Sequence, residues 1–314
     1  MPVAIDRSDL IMTNHSRPII MTETNNYTSR TTYRTVSIEG TDIFYREAGN
    51  AGKPTLLLLH GFPSSSHMFR QLFSQLSSDF HLIAPDYPGF GYSASPAPAV
   101  FEYSFDHLAD LVEKFIDQLG LRDVVFYMQD YGGPIGFRIA SKRPELIKGL
   151  IMQNANAYMQ GLGPAVQQIG ALTQANDLAG LDAAVNHMMS YEGIKEQYVY
   201  GVSSADAISP DSYTLDHSLM EQPGRKTIQK LLFNNYGSNF PKYPQWQQYL
   251  REHQPPALIT WGKNDVIFPG SGALAYKEDL PNAEIYLYEG GHFLLEEYGT
   301  EIAELIRIFM QKLY

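Results

Sequence analysis

The chain has 314 residues, 44% of them apolar, no cysteine and a formal net charge of −11. That length can bury one large core. The charge disfavours nucleic acid and anionic membranes as partners, and the missing thiols exclude disulfides, thiol nucleophiles and thiolate metal sites.

No apolar run approaches bilayer-spanning length. The start, Met1-Pro2-Val3-Ala4-Ile5-Asp6, lacks the basic residues and apolar stretch of a secretory signal. A soluble, cytoplasmic protein without a membrane partner is expected. Residues 1–32 are rich in Ser, Thr and Asn and carry no sustained periodicity, so they are expected as a flexible tail. From Tyr33 the pattern turns regular. Tyr33–Ile38 and Asp42–Glu47 alternate as an antiparallel pair joined at Glu39-Gly40-Thr41. Thr55–His60 and His81–Asp86 are short buried strands, with a helix over His67–Leu76 between them. Leu108, Leu111, Val112, Phe115, Ile116 and Leu119 fall on one helical face. Val124–Met128 is a strand, and Pro134–Ala140 a helix whose Pro134 suits a first turn. Ile147–Gln153, Ala257–Trp261 and Glu284–Tyr288 complete the strands, and a helix with Ile302, Leu305, Ile306, Phe309 and Leu313 on one side closes the chain.

Alternating buried strands and amphipathic helices predict an α/β architecture: a mostly parallel eight-stranded sheet with helices on both faces. Residues 158–240 interrupt the alternation with helix-like segments and no strand. They are expected to form a helical cap between the two core segments, 33–157 and 241–314. The cap then lies over the C-terminal edge of the sheet, where open α/β sheets bind ligands.

Asp130 sits between a strand and a helix, in Met128-Gln129-Asp130-Tyr131-Gly132-Gly133. Asp favours helix N-caps, yet a lone residue at the tip of a glycine-cleared strand–helix turn is also how a nucleophile is exposed. Two further residues decide between these uses. Asp265 follows the strand Ala257–Trp261, and His292 follows Glu284–Tyr288 through Glu289-Gly290-Gly291. Nucleophile, acid and histidine appear in that order, each at a strand end. Asp265 can orient the imidazole, and His292 can activate water. His60-Gly61-Phe62-Pro63 follows the third strand and offers the Phe62 amide, with that of Tyr131, as an oxyanion hole. Pro63 suits a cis peptide. The other histidines show no metal-ligand spacing and no Gly-x-Gly-x-x-Gly loop is present, so neither metal nor cofactor is expected.

From about Tyr33 to Tyr314 the chain resembles the Asp-nucleophile branch of the α/β-hydrolase superfamily, the epoxide hydrolases and haloalkane dehalogenases. The resemblance rests on His-Gly-Phe-Pro, on the turn Asp86-Tyr87-Pro88-Gly89-Phe90-Gly91, on the Gln-Asp-Tyr-Gly-Gly elbow and on Gly-His292-Phe293. Asp86 belongs to a turn that recurs regardless of chemistry, and is expected to be structural. The resemblance implies a covalent alkyl-enzyme ester on Asp130 and a small-molecule substrate. Dehalogenases usually place a Trp after the nucleophile, and haloacetate dehalogenases an Arg. This chain has Tyr131 there, and its tryptophans are Trp246 and Trp261. Epoxide hydrolases use cap tyrosines to protonate the ring oxygen, since a phenol is a usable acid toward an alkoxide. Tyr236, in Leu232-Phe233-Asn234-Asn235-Tyr236-Gly237, is the expected acid. Tyr198 and Tyr200, and more weakly Tyr158 and Tyr191, are further candidates among 21 tyrosines, and His60 is a candidate for substrate contact. An epoxide hydrolase-like enzyme is the expectation. A haloalkane dehalogenase of the same fold and a non-catalytic small-molecule binding protein are the alternatives.

Overall fold

Eight strands form one sheet, in the order β1-β2-β4-β3-β5-β6-β7-β8, in the computed structural model, which describes residues 30–314. The strands are β1 (Thr32–Ile38), β2 (Thr41–Ala48), β3 (Thr55–Leu59), β4 (His81–Pro85), β5 (Val124–Gln129), β6 (Ile147–Gln153), β7 (Ala257–Gly262) and β8 (Glu284–Tyr288). β2 runs antiparallel to both β1 and β4, and every other pairing is parallel. β3, β4, β5 and β7 are buried along their whole length, as strands covered on both faces must be. β1 begins at Thr32, inside the stretch expected as a tail; residues 1–29 of that stretch lie outside the described residues.

The core helices gather in two groups. α1 (Arg70–Leu76) packs on the C-terminal helix (Leu295–Gln311), while α2 (Phe105–Gln118) packs on α3 (Gly132–Lys142) and α3 on α9 (Tyr243–His253). α2 starts at Ser104, whose side chain accepts the His107 N–H at 3.2 Å. It buries Leu108, Leu111, Val112, Phe115 and Ile116 along one stripe, each contributing roughly 1.5–3 kcal/mol on leaving water. The helix expected over His67–Leu76 opens instead as a 3₁₀ turn, Ser66–Phe69. Buried Asp86 holds that turn, accepting the Ser66 N–H at 2.7 Å and the Tyr92 N–H at 2.8 Å.

The strand order carries the functional consequence. From β3 the chain moves outward to β4, then returns to lay β5 on the other side of β3. The loops leaving β3 and β5 therefore part at their C-terminal ends and open a crevice. Gly132 presses α3 into this corner, since a Cβ there would lie 2.1 Å from the Leu59 carbonyl oxygen.

Between β6 and β7 come α4 (Pro164–Gln174), α5 (Leu178–Met188), α6 (Tyr191–Val199), α7 (Pro210–Met220) and α8 (Arg225–Asn235). The segment 158–240 thus carries these helices and no strand. Its anchorage to the core is uneven. α5 fully buries only Val185, whereas α7 is tied down at Ser212 and Asp216. Arg70 grips the Glu296 carboxylate with two N–H groups at 2.9 and 2.7 Å and donates to Ser212 Oγ at 2.9 Å. Asp216 accepts from the Tyr198 hydroxyl of α6, and from the Ser64 hydroxyl of the loop after β3 at 3.3 Å. Burial, reinforced by Glu296, lifts the Asp216 carboxyl to about 7 against the pull of its two hydroxyl donors and Arg70. Above that pH the carboxylate depends on its donors. Tyr198→Phe is therefore expected to cost about 2 kcal/mol at pH 8.5 and less at pH 5.5, where the acid is neutral, measured by urea unfolding at both pH values.

Candidate active site

Asp130 lies at the tip between β5 and α3 with φ of +47°, a left-handed conformation that is unusual for a residue other than glycine. The turn is held because the Gly133 N–H bonds to the Asp130 carbonyl at 2.9 Å and the Asp130 N–H to the Asn154 carbonyl at 3.3 Å. Its carboxylate points across the crevice into the loop after β3. The Phe62 N–H donates to Oδ1 at 2.7 Å, and the Tyr131 amide adds its own polarity from the start of α3. The approach requires Gly61: a Cβ there would come 2.3 Å from the Asp130 Cβ. The Phe62–Pro63 peptide is cis.

The other carboxylate oxygen, Oδ2, faces His292 Nε2 at 3.9 Å. His292 Nδ1 is 2.7 Å from Asp265 Oδ2. Asp265 is itself fixed, since Asn154 Nδ2 donates to Oδ2 at 2.8 Å and the Ile267 N–H to Oδ1 at 2.7 Å. Asp130, Asp265 and His292 are all buried. Burial pushes the Asp130 carboxyl up to about 6, against the opposing pull of His292 and of the Phe62 and Tyr131 amides. Burial alone would lower His292, but Asp265 and then Asp130 outweigh it, and its pKa is raised overall. The result is a carboxylate kept poor in hydrogen bonds on one oxygen beside a charge-supported imidazole.

A small chamber of about 60 Å³ opens over Asp130, walled by Phe62, Tyr131, Phe233, Tyr236, Ile267 and Phe268. It adjoins an outer cavity of about 620 Å³ between α4, α5 and α6 that reaches Asp265 and His292. Tyr236 therefore lines the chamber over Asp130. Its phenol is pushed well above 10 by burial, with Tyr243, Asp130 and Tyr131 adding to the effect. Tyr131 contributes its hydroxyl as well as its amide; the hydroxyl is buried and has no partner.

The remaining sequence candidates lie elsewhere. His60 does not line either cavity. Its ring stacks on Tyr87 at 4.1 Å and its Nε2 accepts the Tyr87 N–H at 3.3 Å, and burial lowers its pKa to about 4. It is a neutral packing residue, not a substrate contact. Tyr158 donates to Asp279 at 2.6 Å, away from the chamber. Tyr198 is held by Asp216, as described, and its ring lies flat on Phe293 at 3.8 Å. Tyr200 is half-exposed at the outer cavity, and Tyr191 packs edge-on against Tyr213 on the surface of the cap. Trp261 donates to the Phe268 carbonyl at 2.7 Å and Trp246 is buried beneath Phe137. Neither indole lines the chamber.

Two residues of the site carried no sequence-based assignment. Asn154 fixes Asp265, and Gln129 places its amide nitrogen 2.9 Å from His292 Nε2. A readable signal exists for both: Gln129 ends the buried, otherwise apolar strand β5, and Asn154 directly follows β6, whose last residue Gln153 is a second buried amide. Among the described residues no cluster of His, Asp and Glu could hold a metal ion, and no helix is long and apolar enough to cross a membrane.

Residues 54–298 match the family model of the alpha/beta hydrolase fold. An uncharacterized hydrolase of Saccharomyces cerevisiae is 40% identical over 273 residues, which cover 85% of this chain and 93% of the yeast protein. Epoxide hydrolase 3 of Mus musculus is 24% identical, with 91% of this chain and 78% of the mouse protein covered. Among solved structures, the haloalkane dehalogenase DatA of Agrobacterium tumefaciens superposes with a TM-score of 0.73 at 23% identity, covering 90% of this chain and 97% of that one.

Proposed function

The chain belongs to the α/β-hydrolase fold family and is a hydrolase, and from that premise we propose that it opens small epoxides through a covalent ester on Asp130. The observation that carries this reading is the division of labour between the two Asp130 oxygens. Oδ1 is held by the Phe62 amide, while Oδ2 has no such donor and faces His292. Oδ2 is the attacking atom: it bonds to a ring carbon, the carbon–oxygen bond of the ring breaks, and Tyr236 gives its proton to the departing oxygen. A phenol suits an alkoxide, which must be protonated, better than a halide, which needs only to be cradled.

The second step uses the other half of the site. The ester carbonyl oxygen is now Oδ1, already in the hole formed by the Phe62 and Tyr131 amides. Esterification removes the Asp130 charge, one of the influences that raise His292. The imidazole's pKa thereby falls, so the ring stands neutral and free to accept a proton at the moment it is needed. His292 takes a proton from water and the hydroxide attacks Cγ; as the tetrahedral oxyanion collapses the Cγ–Oδ2 bond breaks, and the departing alkoxide takes the proton of the newly added hydroxyl, leaving as the diol with Asp130 again a carboxylate. The proton on His292 returns through solvent to the Tyr236 phenolate. Phe62, Tyr131, Phe233 and Phe268 keep the chamber apolar, which suits a small apolar substrate.

The test is intact-mass spectrometry of His292→Ala after exposure to a panel of epoxides and haloalkanes. A stable adduct with the mass of a whole epoxide, absent when Asp130 is also replaced, is expected. An alkyl adduct from a haloalkane would move the assignment to dehalogenation with the mechanism otherwise intact. A His292→Ala protein that turns over normally without an adduct would sink the two-step scheme.

A further inference from the structure

Gln129 is the last residue of β5, wholly buried, and pairs across to Gln153 of β6. Its amide nitrogen is 2.9 Å from His292 Nε2, on the edge of the ring opposite Asp265. A contact between two nitrogens at that distance needs one donor and one acceptor. The amide nitrogen only donates, so Nε2 must carry a lone pair and the ring its single proton on Nδ1. A protonated Nε2 would set N–H against N–H. The amide's oxygen has no partner, and packs beside Gly61, where a Cβ would come 2.6 Å from it. His292 is faced by two titratable groups, Asp265 from the loop after β7 and Asp130 from the elbow, and both favour the charged ring. Burial acts the other way, and so does a hydrogen bond donated by Gln129 to Nε2.

We propose that Gln129 is a positioning residue for the hydrolytic step: by donating its amide N–H to Nε2 it holds His292 neutral, with the proton on Nδ1, ready to accept a proton from water. The incoming water replaces the amide at Nε2, exchanging one hydrogen bond for another. The inference rests on the reading of His292 as the base. It explains why an amide stands here: a carboxylate would be a third anion beside the ring, and an apolar side chain would leave the neutral tautomer without its donor.

The test titrates His292 in the ¹⁵N-labelled full-length protein by long-range ¹H–¹⁵N correlation of its imidazole, assigned by loss of the signal in His292→Ala. In Gln129→Met, similar in length and without donors, the midpoint is expected to rise by about one pH unit. Gln129→Glu, which keeps the shape and adds charge, is expected to raise it further. An unchanged midpoint in both variants overturns the inference. So does a fall in Gln129→Met, which would mean that the amide is turned over with its oxygen on an imidazolium. The outcome is separable from the reaction assignment. A midpoint that moves as expected while no probe forms an Asp130 ester leaves this inference standing and removes the reaction. An ester with an unmoved midpoint does the reverse.

Discussion

Asp130→Asn is expected to abolish turnover and, at the same time, to make the protein more stable. Loss of a nucleophile in a triad-type enzyme lowers the rate by about 10⁶-fold. The stability gain follows from where the carboxylate sits. Burial raises its pKa from 3.8 to about 6 even though His292 and two amides oppose the shift. A carboxyl whose folded pKa lies above its unfolded value binds its proton more tightly in the folded chain, so stability is lost as pH rises from about 4 through 6. At pH 7 that loss is about 3 kcal/mol, of which asparagine, neutral and similar in shape, recovers a large part. Urea unfolding should therefore show Asp130→Asn more stable than the wild type at pH 7, with the difference closing toward pH 4. The outcome separates two uses of an aspartate before a helix. An N-cap would be indifferent to the exchange, because Asn caps a helix as well as Asp, whereas a carboxylate held ready for attack is lost with a gain. The same pKa sets the lower limb of ester formation, which is expected to fall below about pH 6 as Oδ2 is protonated.

Much of this was legible in the sequence, for physical reasons that also mark the limit. β3, β4, β5 and β7 are mostly apolar runs because both sheet faces are covered, and a run of that kind is visible without any tertiary knowledge. Asp130, Asp265 and His292 could be linked because parallel strands deliver their C-terminal ends to one edge; a residue just past such a strand has little choice about where it goes. The tyrosines had no such guide. Tyr198 and Tyr236 both lie in helical segments rich in polar residues, yet one is held against Asp216 at the base of the cap and the other stands in the chamber. Their fates depend on how cap helices seat on loops more than a hundred residues away, such as Ser64, and local pattern does not encode that. His60 misled for the opposite reason. Its motif forms the loop beside Asp130, but the group of that loop that reaches Asp130 is the Phe62 backbone amide, while the imidazole is turned under Tyr87.

Asp265→Asn is expected to lower the hydrolytic step by about 10⁴-fold, the loss seen when the same exchange is made in a Ser-His-Asp triad. The argument is one of donor counting. Asp265 receives three hydrogen bonds, from His292 Nδ1 and Asn154 on Oδ2 and from the Ile267 amide on Oδ1. A carboxylate only accepts, and so satisfies all three. An amide must turn its NH₂ toward one side. Facing Ile267 it sets a buried donor against a donor, at a cost of about 1–3 kcal/mol. Facing His292 it takes the Nδ1 lone pair as its acceptor and leaves one Asn154 N–H without its acceptor, the other staying on the Gly262 carbonyl at 3.2 Å. The ring's proton then moves to Nε2, where it blocks the attack of water and opposes the Gln129 amide. The chain is expected to take the second course, because Nδ1 can change tautomer and the Ile267 amide cannot. In the proposed scheme ester formation needs Asp130 and Tyr236, not the Nε2 lone pair, so the enzyme should load once and stall. Rapid quenching followed by intact-mass measurement would show the Asp130 ester accumulating to nearly one per chain under turnover conditions. Equal loss of both steps, with no accumulated ester, would instead mean that Asp265 serves to hold the loops after β6 and β7 together through Asn154, and that the imidazole's tautomer is set elsewhere.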